Sequence, residues 1–201
     1  METMAGKVVL VTGAGKGAGR AIALAFAAEG ASLGINDLTP INLDETEADI
    51  YSSGCKVKAY IVDVTKKMPI QGLVKSVVDD WGRIDILVNC AQVRPKAPLL
   101  DMDDWDWQRT LDVNLTGVFL LAQSAGRVMR TRGGGTILMV APIGEVEANQ
   151  GAYATSKAGL VELTLQIKRE FSAYNIEVHL IQADRIDSVV EQALNLCGQG
   201  G

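Results

Sequence analysis

An α/β fold is predicted for this sequence: a doubly wound parallel sheet in three layers, with helices on both faces, in a single domain. Two observations carry the prediction. Apolar runs of strand length alternate with helical patterns from end to end, joined by short connections, which is how a parallel sheet covered by helices is written. The first apolar run, Val8-Val9-Leu10-Val11, then passes directly into the turn Thr12-Gly13-Ala14-Gly15-Lys16-Gly17-Ala18-Gly19, and an alanine-rich helical stretch follows it.

The elements follow in order. After the first strand, residues 18–29 read as a helix and 31–36 as a second strand. Residues 43–53 form a helix closed by Gly54 as its C-cap, and 57–62 a third strand. A helix over 70–81 leads to 84–89, a continuously apolar fourth strand of the kind buried on both faces. Four carboxylates crowd Asp101-Met102-Asp103-Asp104-Trp105-Asp106-Trp107. Acidic side chains oppose the positive end of a helix dipole, so this stretch is read as a helix start rather than a metal site. A long helix covers 110–130 and ends at Gly133-Gly134-Gly135, followed by a fifth strand at 136–140. A second long helix covers 152–172, a sixth strand Ile176–Ile181, and 188–196 a last helix. Right-handed crossovers then put helices on both faces of the sheet.

Composition narrows the functional classes. At 201 residues the chain buries a core without disulfides or a structural metal, and 48% hydrophobic with 21% charged residues is ordinary for a globular protein. A net charge of −5 argues against general nucleic-acid or acidic-membrane binding. Cys55, Cys90 and Cys197 follow no ligand spacing and read as reduced thiols in a cytoplasmic setting. His179 is the only histidine and lies in an apolar strand pattern, so a structural role is expected and no metal site is predicted. Residues 1–7 lack the apolar stretch of a signal peptide, and no segment is long and apolar enough to span a bilayer.

The chemistry sits at three places. A strand, a tight glycine turn and a helix start hold a pyrophosphate, because the backbone N–H groups approach the anion and the helix end faces it with partial positive charge. Thr12, Gly13, Gly15, Lys16, Gly17 and Gly19 form that turn. About twenty residues further on, strand two ends in Asn36-Asp37. A carboxylate there accepts hydrogen bonds from the adenosine ribose and repels a 2′-phosphate, which favours NAD over NADP. Lys16 is the counter-argument, since a cation in the turn neutralises an extra phosphate. Tyr153 and Lys157 stand one helical turn apart on one face. A phenol titrates near 10, and an adjacent ammonium favours its phenolate, so the pair reads as a general acid/base.

With these residues in place the chain resembles the short-chain dehydrogenase/reductase family over residues 7–188. The markers are Thr12-Gly-x-x-x-Gly17-x-Gly19, Asp63-Val64, Asn89-Cys90-Ala91-Gln92, Asn114 and Tyr153-x-x-x-Lys157. The resemblance implies a Rossmann-like fold and a nicotinamide cofactor. It implies that Asp63 and Val64 contact adenine, that Asn89 and Ala91 flank the cofactor, and that Ile186 and Ser188 touch its nicotinamide end. Asn114 is expected to hold a water in a proton relay behind Lys157. Tyr153 is expected to protonate the substrate oxygen during reduction while Lys157 binds the nicotinamide ribose. A homodimer through the two long helices is the oligomer expected.

Departures from the family pattern set the alternatives. The serine expected at the end of strand five falls on Ala141 or Pro142, and no Ser or Thr lies between Leu138 and Ala152. Losing one polarising donor costs about 10²–10³ in rate. Glu145 and Glu147 in this stretch read as residues of a solvated loop. Gln92 stands where glycine is usual, and Ala183-Asp184 replaces a Pro-Gly after strand six, which puts a carboxylate near the cofactor amide. The substrate-covering segment and last strand are read as missing. One expectation is thus an NAD(H)-dependent oxidoreductase, impaired, acting on a small alcohol or carbonyl compound. The others are a non-catalytic NAD(H)-binding sensor or assembly protein, and a shortened relic that folds poorly and binds nothing.

Overall fold

The strands β1 (Val8–Thr12), β2 (Ser32–Asp37), β3 (Val57–Ile61), β4 (Ile86–Asn89), β5 (Gly135–Val140) and β6 (Ile176–Ile181) form one all-parallel sheet in the order β3-β2-β1-β4-β5-β6. The structure is a computed structural model and describes residues 4–141 and 147–198. Strand order reverses between β1 and β4, so the crossovers leave that point in opposite directions and open a crevice beyond the carboxyl ends of the strands.

The pleat of β1 distributes its side chains to two cores. Val9 and Val11 pack with Ile22, Phe26, Leu33, Val88 and Val189 under α1 (Gly17–Ala28), α2 (Pro40–Ser52) and α7 (Ile186–Gly198). Val8 and Leu10 face the opposite layer, where Leu73, Leu87, Leu121, Met129 and Ile167 meet under α3 (Lys67–Trp81), α5 (Gly117–Thr131) and α6 (Gly151–Phe171). Burial on both faces is why the strands carry unbroken apolar runs. The expected three-layer, doubly wound architecture is the one observed, as a single domain.

Element ends differ from the sequence reading for local reasons. The helix expected from residue 43 begins at Pro40, whose missing N–H costs nothing at a first helical position. Strand β4 begins at Ile86, two residues later than expected; Asp85 before it bonds to Val8 through its backbone N–H and, at 2.8 Å, through its carboxylate. The helix expected over 110–130 starts earlier, as α4 (Asp104–Leu111), and runs through a π-helical turn (Asp112–Thr116) into α5. Asp103 caps α4 by accepting from the Trp105 N–H at 2.7 Å, and Asp104 and Asp106 lie in the first turn, so the acidic stretch is a helix start. His179 lies on edge strand β6 with its ring 3.2 Å from the Glu177 carboxylate.

Candidate active site

At the carboxyl end of β1 the chain turns into α1 under close steric limits. Gly13 has φ +66°, and a Cβ there would stand 2.7 Å from Ala91 Cα. A Cβ on Gly19 would stand 2.2 Å from the Gly13 carbonyl oxygen, so only a bare backbone lets α1 start this close to the turn. Thr12 is buried beneath it. Its hydroxyl accepts from the N–H groups of Cys90 at 3.2 Å and Ala91 at 3.4 Å, which ties the end of β1 to the loop after β4.

A cleft of about 430 Å³ opens over this turn. Gly13, Lys16, Gly17 and Gly19 line one wall, and Asp37, Asp63 and Val64 line another. Ala91 and Gln92 line the β4 side. Gly15 lies behind Lys16, where its N–H donates to the Asp37 carboxylate at 3.0 Å. The other Asp37 oxygen accepts from the N–H groups of Leu38 at 2.7 Å and Thr39 at 3.0 Å. Lys16 is exposed at the cleft edge.

Asp63 accepts from the Thr65 N–H at 3.0 Å and pairs with Arg109 at 3.3 Å. Burial alone would raise its carboxyl, but Thr65 and the guanidinium hold it below the ordinary carboxylate value. Arg109, on α4, also lines the cleft and was missed from sequence because nothing in its spacing links it to Asp63. Asn89 is buried under the cleft, with its amide N–H donating to Met139 Sδ at 3.3 Å and its Oδ1 unpartnered among the described residues.

Tyr153 and Lys157 share one acceptor. The Tyr153 hydroxyl donates to Gln92 Oε1 at 3.4 Å and the Lys157 ammonium donates to the same oxygen at 3.2 Å. Lys157 Nζ lies 5.0 Å from the centre of the Tyr153 ring, and the Arg94 guanidinium 4.8 Å from it. Arg94 is steadied by the Gln150 side-chain carbonyl at 2.8 Å. Burial raises the Tyr153 phenol above its ordinary value, and the field opposing this is that of Arg94. Burial also brings Lys157 down to about 8, with Cys90 opposing and Arg94 assisting. The Cys90 thiol is pushed up to about 12 by burial, against the pull of Lys157.

The low value at Lys157 has a stability consequence with a defined sign. Its folded-state value lies below its unfolded one, so between about 8 and 10.5 the unfolded chain binds more protons and stability rises with pH. Below about 8 the cost of the half-buried ammonium is fully present. Lys157→Met is therefore expected to raise stability in urea at pH 7 by about 1–3 kcal/mol, a gain that shrinks toward pH 10.5. A gain independent of pH would assign it to packing instead.

Asn114 stands on the π-helical turn as a clamp. Its Oδ1 accepts from the Val93 N–H at 2.9 Å, and its amide N–H groups donate to the Val93 carbonyl at 2.9 Å and to Ser156 Oγ at 3.1 Å. The side chain thus joins the β4 loop to α6. Ile186 and Ser188 lie in the first turn of α7 and do not line the cleft. Ala141 follows β5, buried, and offers no side-chain donor. Pro142 and Glu145 lie outside the described residues. Glu147 is exposed and pairs with Lys96 at 2.6 Å, the solvated role expected of it. Among the described residues there is no cluster of His, Cys, Asp and Glu fit for a metal ion, and no helix long and apolar enough to cross a membrane.

The arrangement fits a dinucleotide. Gly13, Gly15 and Gly19 leave no room for side chains at the turn, Asp37 stands beside it, and Gln92 of the cleft lining accepts from a phenol and an ammonium. Comparison with known proteins agrees. The family model for short chain dehydrogenases matches residues 7–196. The chain is 36% identical over 191 residues to a 3-oxoacyl-(acyl-carrier-protein) reductase of Thermotoga maritima, covering 94% of this chain and 78% of that protein. An NAD⁺-bound xylitol dehydrogenase superposes with a TM-score of 0.85 at 36% identity, covering 89% of this chain and 70% of that one. A metagenomic short-chain oxidoreductase in complex with NADP superposes with a TM-score of 0.94 at 27% identity, covering 98% and 93%. The chain belongs to the short-chain dehydrogenase/reductase family.

Proposed function

We propose that the protein is an NAD(H)-dependent oxidoreductase acting on a small alcohol or carbonyl compound, with Tyr153 as general acid/base. The observation that carries this reading is that Gln92, which lines the same cleft as the glycine turn and Asp37, accepts from both Tyr153 and Lys157 behind it. The nicotinamide, when bound, supplies or accepts the hydride. The chain's residues do the rest. Thr12, Gly13, Gly15, Gly17 and Gly19 shape the phosphate turn, Asp37 accepts from the adenosine ribose, and Asp63, Val64, Asn89 and Ala91 support the cofactor. In reduction, the Tyr153 hydroxyl gives its proton to the substrate oxygen, and the Lys157 ammonium stabilises the phenolate left behind.

Relatives of this chain hold NAD⁺ in one case and NADP in another, so the preference for NAD rests on Asp37 against Lys16. Titration of nicotinamide fluorescence is expected to show tighter binding of NADH than of NADPH. Asp37→Ala should move the ratio of the two affinities toward NADPH by about tenfold. Equal affinities in the parent protein would mean that Lys16 outweighs the carboxylate.

A second reading, a non-catalytic NAD(H)-binding sensor or assembly protein, is favoured by Ala141, whose methyl cannot polarise a carbonyl. Two further proposals accompany the first. The partly exposed Phe119 on α5 and Leu165 on α6 support a homodimer through these helices. The three free thiols and the acidic charge balance support a cytoplasmic protein that acts without nucleic acid or membrane partners.

A further inference from the structure

Three consecutive residues after β4 are laced onto the first two turns of α6. Gln92 takes the Tyr153 and Lys157 donors on one oxygen. Val93 is held through both its backbone N–H and its carbonyl by Asn114, which donates to Ser156, whose hydroxyl donates in turn to the Tyr153 carbonyl at 2.7 Å. Arg94 lies over the Tyr153 ring and is steadied by Gln150. The clamp on Val93 fixes the backbone next to Gln92, so the aim of the Gln92 side chain is set by the fold.

An amide oxygen accepts hydrogen bonds and cannot donate them. The bond from the Tyr153 hydroxyl to Gln92 therefore exists only while Tyr153 is a phenol, and hydrogen bonding to the neutral form disfavours ionisation. The charged and titratable groups facing this phenol are Arg94 and Lys157, with Cys90 beyond the lysine. Both cations favour the phenolate. Gln92 is the opposing contact, and its oxygen also occupies a Lys157 donor that would otherwise be available to the phenolate.

We propose that Gln92 is a positioning residue for proton transfer: its amide oxygen holds the Tyr153 hydroxyl beside the cleft and opposes Arg94 and Lys157 by disfavouring the phenolate. The inference rests on the acid/base role given to Tyr153 above and adds a residue that tunes it. In carbonyl reduction hydride reaches the carbonyl carbon and the Tyr153 proton reaches the oxygen, so the hydroxyl must exchange its Gln92 contact for the substrate. Alcohol oxidation requires the phenolate first, and so must break the Gln92 contact.

The test reads Tyr153 directly, by tyrosinate absorbance after rapid pH jumps, recorded before the fold responds. Subtracting the Tyr153→Phe signal removes Tyr51, Tyr60 and Tyr174. Gln92→Met keeps the length of the side chain and removes the amide oxygen; Gln92→Glu keeps an acceptor and makes it an anion. Gln92→Met is expected to give about threefold more Tyr153 phenolate at a given pH, and Gln92→Glu less than the parent. An unchanged titration in both variants, or a shift in the same direction in both, would overturn the proposal, since a packing disturbance has no reason to follow charge. NADH binding measured on the same samples separates the two levels. Opposite shifts without NADH binding would sink the cofactor reading alone, and unmoved titrations in a protein that binds NADH would sink the role of Gln92 alone.

Discussion

Replacing Tyr153 with Phe is expected to lower turnover of a carbonyl substrate by about 10²–10⁴ while leaving NADH affinity within about twofold of the parent. The ring is buried against the Arg94 guanidinium and keeps its packing as phenylalanine. Only the hydroxyl that donates to Gln92 is lost. Steady-state rates with a panel of small aldehydes and ketones, set beside fluorescence titration of NADH, check both halves. A reductase rate that survives the substitution would remove Tyr153 from the chemistry. NADH binding without turnover of any panel member, in parent and variant alike, would favour the sensor reading that Ala141 supports.

Gly19→Ala is expected to produce the largest loss of binding and stability. The added Cβ meets the Gly13 carbonyl at 2.2 Å, and because that atom is backbone, no side chain can swing aside to relieve the contact. Either α1 retreats from β1, opening the core around Ile22 and Phe26, or the phosphate turn changes shape. The cost is expected to be about 2–4 kcal/mol in urea denaturation, with NADH affinity reduced by about 100-fold or more. Gly72, inside α3, is the matched control, since a Cβ there meets nothing within 4 Å. Gly72→Ala should be neutral or stabilising by up to about 1 kcal/mol. Equal effects at the two glycines would remove the steric account of the turn.

The sheet and its helices were legible because burial on both faces forces unbroken apolar runs, and because glycine and proline mark their ends. Asp101 to Trp107 was legible as a helix start because dipole electrostatics act within one turn, a range that local sequence contains. The π-helical turn was hidden, since one extra residue per turn leaves the apolar pattern of residues 110–130 nearly unchanged. Within the site, spacing pairs Tyr153 with Lys157 because both lie on one helix. The same reasoning cannot reach Gln92, which meets them from 61 and 65 positions away in a loop with no periodicity. Arg94 and Arg109 were invisible for the same reason. The role of Asn114 was set by what stands opposite its amide, the Val93 backbone, and the topology alone supplies that partner.

Asp37 carries a consequence for changing cofactors. Its two oxygens gather the backbone N–H groups of Gly15, Leu38 and Thr39, so the carboxylate serves as a permanently bound anion for three main-chain donors. Deleting it therefore does more than lift a repulsion. The three donors are left converging on a vacated space beside Lys16, and concave sets of backbone N–H groups of this kind are nests for phosphate. If Asp37 selects NAD as proposed, a single acid at the end of β2 stands in for the group it excludes, and its removal would free three backbone donors for a phosphate.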